Sequence, residues 1–179
     1  MARFAVQYPA KATLDEAIVQ DFHTFRQALN VASADQRVLV VINTNGDQKT
    51  HLRDSLKSVV NDSRIVGRFH FDFETSDDWK QNVSGTTDQP GIVVINPGEF
   101  GLTGKVMTQL PLDAKPEQIT DELLKANDVY AKTTKKKVYS EHVAKGRKAG
   151  VYFEGAVPYG EDRDGDGEID HRGGSQRRQ

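Results

Sequence analysis

Carboxylate side chains recur at every second position near the end of the chain, in the sequence Asp-Arg-Asp-Gly-Asp-Gly-Glu-Ile-Asp from 162 to 170. This spacing places the carboxylates on one side of a tightly wrapped loop, and Gly167 permits a sharp turn. Calcium takes about six to eight hard oxygen ligands, which such loops supply from side chains and one backbone carbonyl. The spacing predicts a calcium site, with Glu168 contributing its carbonyl. The predicted metal ligands are Asp162, Asp164, Asp166, Glu168 and Asp170.

The loop resembles the calcium loops of EF-hands and, more closely, those of thrombospondin type 3 repeats. It departs from the EF-hand pattern at the last ligand position, where Gly173 stands in place of a bidentate glutamate. The missing ligand implies weak binding unless the rest of the chain or a partner completes the shell. The alternative interpretation is a solvated acidic tail.

Composition excludes several kinds of chemistry. The 179-residue chain has no cysteine, so disulfides, zinc–thiolate sites and thiol catalysis are ruled out. Its 24 basic and 26 acidic residues nearly balance, which gives no general attraction to nucleic acid or anionic membranes. No apolar run approaches the roughly 20 residues of a membrane span.

Apolar periodicity predicts the elements that would position functional side chains. A stripe from Leu14 to Leu29 indicates an amphipathic helix, and β-branched residues after Arg37 indicate a buried central strand. Turn residues between Ile95 and Lys105 predict an antiparallel hairpin. The predicted helices cover roughly 13–30 and 49–61 and a segment from Pro116, and the predicted strands cover 37–43, 69–73, 91–95 and 105–110.

Between residues 10 and 131 this layout resembles the thioredoxin superfamily. In that family a strand leads into a helix opened by a Cys-x-x-Cys pair, and a cis proline precedes the hairpin strand. Matching from the 38–42 strand puts Asp47 and Thr50 at the cysteine positions, followed by His51, and puts Pro90 at the proline. The resemblance implies a cis Gln89–Pro90 bond that faces the start of the 49–61 helix.

The resemblance also implies what is missing. Thiol–disulfide exchange needs thiols that Asp47 and Thr50 do not have, and Val41 occupies the place of the family's buried acid. We expect Asp47 or Thr50 to cap the helix, since both residue types favour that position. Together with His51 and Pro90 they define the predicted binding cleft.

The predicted fold class is α/β, a three-layer thioredoxin-like fold with a mixed central sheet and helices on both faces. The predicted divisions are the thioredoxin-like domain at 10–131, a basic helical extension or linker at 132–161, the calcium loop at 162–170 and a disordered tail at 171–179. The second division contains the lysine run from 135 to 137.

Two functions from different classes fit these features. The first is a redox-inactive binding or assembly module with a protein partner, and the second is an enzyme with a non-thiol site near Asp47, His51 and Pro90. We expect no nucleic-acid partner and no membrane span, and the sequence sets no oligomeric state. The cysteine-free chain and its surface-type loop suggest an exported protein of bacterial type, periplasmic or extracellular.

Overall fold

The computed structural model describes residue 19, residues 21–22, residues 24–135 and residues 138–148. The helices in this part are α1 (Phe25–Asp35), α2 (Lys49–Ser55), α3 (Lys57–Val60), α4 (Pro116–Thr133) and α5 (Tyr139–Lys148). The strands are β1 (Val38–Asn43), β2 (Phe69–Glu74), β3 (Val83–Ser84), β4 (Gly91–Pro97) and β5 (Gly104–Leu110). Three 3₁₀ turns lie at Gly46–Gln48, Asp78–Asn82 and Glu99–Gly101. No described helix is long and apolar enough to cross a membrane.

The strands form one five-stranded mixed sheet in the order β2-β1-β4-β5-β3. Strand β1 pairs parallel with β2 and antiparallel with β4. Strands β4 and β5 form the predicted antiparallel hairpin, and β3 adds a two-residue parallel pairing at the far edge of β5. The α/β class and the mixed sheet are therefore confirmed, whereas β3 was not predicted.

The sheet carries a separate hydrophobic cluster on each face. One cluster contains Val38, Val40 and Ile42 of β1 and packs under α2, α3 and α4. The other contains Leu39 and Val41 and packs under α1. Every residue of β1 is buried because helices cover both faces of the strand.

Helix α1 begins later than the sequence predicts. Phe22 and Thr24 are not helical, and the hydroxyl of Thr24 accepts the backbone N–H of Gln27 at 3.2 Å as an N-cap. A capped start fixes the first helical residue, which apolar spacing alone does not reveal. The helix then continues past the predicted end to Asp35, where Gln36 takes a left-handed backbone conformation. Of the predicted 13–30 helix, residues 13–18 lie outside the described residues.

The hairpin turn packs tightly against α1. The side-chain amide of Asn30 donates to the Phe100 carbonyl at 2.8 Å, and the Ser33 hydroxyl donates to the Gly98 carbonyl at 2.7 Å. Gly101 directly follows Phe100 and has φ +63°. A Cβ built on Gly101 would be 2.3 Å from the Asn30 Cα atom. The close approach of two backbones requires glycine at this position.

Helix α5 lies in the segment predicted as a basic extension or linker. It contacts α1 and the Glu99–Gly101 turn. Its His142 is buried, and the imidazole lies 5.1 Å from the Phe100 ring between ring centroids. Residues 149–179, which include the predicted calcium loop and tail, lie outside the described residues.

Candidate functional site

Three strands meet the predicted cleft at one edge of the sheet. The parallel strands β1 and β2 both end there, with Asn43 paired to Glu74. Antiparallel β4 begins there, because Gly91 pairs with Asn43. Loops at the carboxyl ends of parallel strands are the usual ligand-binding edge of an α/β sheet.

The four predicted cleft residues are all exposed at or next to this edge. Asp47 lies in the 3₁₀ turn after β1, and Thr50 and His51 lie in the first turn of α2. Pro90 immediately precedes β4. Of the four, His51 lines the cavity between α2 and α4, whose lining does not include the other three.

The capping prediction for this helix is wrong. Gln48 occupies the N-cap position of α2, and its side chain makes no capping hydrogen bond in the described structure. The 3₁₀ turn runs directly into α2, so Asp47 and Thr50 lie within the helical stretch and not at its cap. The hydroxyl of Thr44 instead contacts the side-chain oxygen of Gln48 at 3.2 Å, which ties the turn to the end of β1.

The predicted cis proline is also wrong, because the Gln89–Pro90 bond is trans. The loop before β4 bends at Asp88 and Gln89 and is held against β5 by Gln109. The Gln109 side chain donates to the Gln89 carbonyl and accepts from the Thr87 hydroxyl, each at 2.9 Å.

The cavity beside His51 has a volume of about 350 Å³ and lies between α2 and the start of α4. Leu52 and Ile119, from the two helices, contribute to an apolar floor. Its remaining lining residues are Gln48, Ser55, Leu56, Leu112, Asp113, Ala114 and Pro116. Small-molecule sites combine apolar walls with a few polar groups in this way, and so do pockets for single side chains of a partner.

Two carboxyl groups on β2 were not recognised as site candidates from the sequence. Asp72 is fully buried, and its Oδ1 accepts the backbone N–H groups of Phe22 at 2.9 Å and Phe73 at 3.0 Å. Its Oδ2 is buried without a hydrogen-bond partner among the described residues. Burial raises the pKa of Asp72 to about 8, and the neighbouring Glu74 contributes to the rise.

Glu74 lies on the same face of β2 and nearer the sheet edge. Burial raises the pKa of its carboxyl to about 7, Asp21 adds to the rise, and Lys49 opposes it. Near neutral pH the Asp72 carboxyl is therefore largely protonated, and the Glu74 carboxyl is about half protonated. Asp72 has no exposed surface to reach a ligand, so Glu74 is the group that could exchange a proton at this edge.

Two positive groups lie near the end of β2. Lys49 and Arg53 both form ion pairs with Asp21, the latter at 3.9 Å. The Lys49 ammonium and the Arg53 guanidinium lie 5.5 Å and 5.4 Å from the centre of the Phe73 ring. Carboxyls with a raised pKa, such as those of Asp72 and Glu74, mark candidate functional sites.

His70 completes the titratable row on this face of β2. Its Nε2 lies 2.9 Å from the Asp35 carboxylate at the end of α1. Burial lowers the pKa of His70, and the hydrogen bond to Asp35 opposes that shift. The sequence did not indicate this row as a site. The alternation in 69–73 predicts that the phenylalanine face is buried and the polar face exposed, whereas α1 and Phe22 cover the polar face as well.

The predicted calcium ligands, Asp162, Asp164, Asp166, Glu168 and Asp170, all lie outside the described residues. Between residues 19 and 148, leaving aside the undescribed positions, no three His, Asp or Glu side chains group as metal ligands. The calcium site therefore stays a sequence prediction.

A search of protein families, curated proteins and solved structures found no match to this chain.

Proposed function

We propose that this chain is a redox-inactive binding or assembly module on a thioredoxin-like scaffold, with a C-terminal calcium-binding loop and a protein partner. The observation that carries the proposal is the position of α2. It follows central strand β1 at the carboxyl edge, where Asp47 and Thr50 replace the thiols in a chain without cysteine. A scaffold without its redox groups keeps its surfaces for binding.

The strand order lends support to the scaffold assignment. Strands β2-β1-β4-β5 follow the order expected of a parallel pair joined to a terminal hairpin, and α4 follows the hairpin. The trans Pro90 removes one family landmark, so the assignment rests on topology and on the position of α2.

The His51 cavity is the proposed binding surface. Its apolar floor and polar rim fit one apolar side chain of a partner protein, with Gln48, His51 and Asp113 available to the adjacent backbone. A buried anchor side chain in a well-shaped pocket commonly dominates such interfaces.

Filling this cavity should weaken partner binding. Peptides selected from a random display library against the full chain are expected to lose at least about tenfold in affinity for the Ala114→Trp variant, or about 1.4 kcal/mol. The exposed Ala131→Trp variant on α4 is the matched control and should bind within about twofold of the unmodified chain. Titration calorimetry measures both affinities. Equal affinity of the selected peptides for the two variants would place binding elsewhere.

The enzyme alternative is favoured by one observation, the raised pKa of the Glu74 carboxyl at the end of β2. Glu74 lies on the face of the sheet that α1 covers, whereas the His51 cavity lies on the opposite face. Glu74 would supply or accept a proton in such a site. Turnover of ester, glycoside or phosphate substrates that disappears in His51→Ala, but not in the control His142→Gln, would establish the enzyme and displace the binding proposal.

Calcium is expected to act on the tail and not on the domain. Between 162 and 170 the chain has four aspartates and a glutamate, which repel one another until a cation neutralises them. Nuclear magnetic resonance titration should therefore shift the amide signals of 162–170 and leave those of Val38–Asn43 unchanged. Asp164→Ala should weaken binding about tenfold or more, whereas Glu168→Gln should have little effect because only its carbonyl is used. Unchanged tail signals at millimolar calcium would reduce the loop to an acidic tail.

An exported, bacterial-type location is the corresponding proposal for the cell. It is supported by the cysteine-free chain and the Asp-rich loop. Fractionation of the native source would test it, and recovery of the protein in the cytosol alone would reject it.

A further inference from the structure

A second cavity, of about 510 Å³, lies beside β3 and shares no lining residue with the His51 cavity. We call it the polar cavity. Three of the side chains that line it are carboxamides, two carry hydroxyls and one is an ammonium group. These residues are Gln81, Asn82, Asn96, Ser84, Thr103 and Lys105.

The register of the sheet places three of the lining residues in one row. Asn96 of β4 pairs with Lys105 of β5, which pairs with Ser84 of β3. Residues directly opposite one another share a face of the sheet with their Cβ atoms about 5 Å apart. The 3₁₀ turn that precedes β3 adds Gln81 and Asn82. Regular elements thus hold the polar groups in fixed positions, as a binding site requires.

These groups are not used to hold the fold together. Within the described chain, no hydrogen bond or ion pair engages the side chains of Gln81, Asn82, Asn96 or Lys105. Only the Ser84 hydroxyl is committed, through a long 3.4 Å bond to the Gly104 carbonyl. The nearby ammonium of Lys80 is occupied by Asp77 and Asp88, at 2.7 Å and 3.7 Å.

The polar side chains that line the cavity determine which class of ligand fits it. No carboxylate is among the described lining residues, so the cavity has no negative charge to balance a metal ion or an ammonium ligand, and Lys105 repels both. A single lysine without arginine is a poor match for a polyphosphate. Carboxamides and hydroxyls each donate and accept, as sugar hydroxyls do, and Lys105 can pair with one carboxylate.

We propose that the polar cavity binds a sugar acid, a hydroxyl-rich ring that carries a single carboxylate. Asn96 and the two amides of the 3₁₀ turn hold the hydroxyls, and Lys105 pairs with the carboxylate. The volume lies within the usual range of small-molecule sites, about 300–1,000 Å³. This site is separate from the proposed partner-binding surface and does not depend on it.

The test uses the full ¹⁵N-labelled chain with glucuronate, glucose, acetate and inorganic phosphate as probes. Glucuronate is expected to shift the side-chain amide signals of Gln81, Asn82 and Asn96 saturably, and glucose to do so more weakly. Lys105→Ala removes the ion pair with the carboxylate, and loss of one exposed ion pair should lower the affinity for glucuronate by about fivefold. The variant should then bind glucuronate no more tightly than it binds glucose. Asn96→Ala should weaken both sugars, and the exposed Lys132→Ala control should weaken neither.

Two results would overturn the proposal. The first is the absence of saturable shifts at these amides with either sugar at high millimolar concentration. The second is equal shifts from acetate or phosphate, which would show a response to charge alone. Unchanged thermal midpoints of the variants establish that any loss of binding is local.

Discussion

Gly101→Ala is expected to cost about 3–5 kcal/mol of unfolding free energy, or to prevent folding altogether, because two penalties coincide. The residue has φ +63°, and the new Cβ would lie 2.3 Å from the Asn30 Cα atom and 2.7 Å from the Asn30 nitrogen. Both neighbouring atoms are backbone, so relief would need α1 to move away from the hairpin turn. That movement would stretch the Asn30–Phe100 and Ser33–Gly98 hydrogen bonds.

Gly67→Ala supplies the matched control. Gly67 has φ +77°, but a Cβ there would have no atom within 4 Å. Only the backbone penalty remains, so the expected loss is about 1–2 kcal/mol. Urea unfolding of both variants measures the difference. Equal losses would mean that the hairpin turn does not press on α1 as tightly as the distances indicate.

Asp72→Asn is expected to stabilise the protein at neutral pH. The pKa of this carboxyl is raised from its ordinary value of 3.8 to about 8 in the folded chain, mainly by burial. Between these values the unfolded chain is ionised and the folded chain holds the proton, so the free energy of unfolding falls as pH rises. At 1.36 kcal/mol per pKa unit, the cost at pH 7 is about 4 kcal/mol.

Asparagine keeps the oxygen that accepts from Phe22 and Phe73 and cannot ionise. Its amide N–H groups replace an unpaired Oδ2, which costs about 1–3 kcal/mol, so the net gain at pH 7 is about 1–3 kcal/mol. Near pH 4 the gain should turn into a loss of about 1–2 kcal/mol, because the ionisation cost has almost gone and the amide penalty remains. The exposed Asp128→Asn control should change stability by less than about 0.5 kcal/mol. Urea unfolding from pH 4 to 8.5 provides the measurement, and a wild-type stability that rises between pH 5 and 8 would contradict the assignment.

The elements with strong local signals were predictable from the sequence. Short local patterns predicted three of them: the apolar run of β1, the turn residues of the hairpin, and Pro116 at the first turn of α4. The start of α1 depended on a single Thr24 hydrogen bond, and β3 is only two residues long, so neither produces a period. The Thr24 cap is a local contact that apolar spacing does not show, whereas the pairing of β3 with β5 is a tertiary contact.

The candidate sites divide in the same way. His51 was predicted as a cleft residue because it follows Asp47 and Thr50 in the segment matched to the start of the thioredoxin helix, and in the structure it lines a cavity. Asp72 was missed because burial of the second face of β2 comes from α1 and Phe22, which are distant in sequence. The polar cavity was missed because its row joins three strands whose register the sequence does not display.

The burial of β1 on both faces affects what determines the register of this strand against its neighbours. A slip of β1 by one residue would exchange Leu39 and Val41 with Val38, Val40 and Ile42. Since both clusters are apolar, the exchange changes hydrophobic burial little, and patterning barely opposes it. The register of β1 then depends on polar residues that fit only one alignment. Asn43 is such a residue, because a slip that carried it into the place of Ile42 would bury its carboxamide in an apolar cluster. One carboxamide at the end of β1, and not the apolar pattern of the strand, thereby fixes the register.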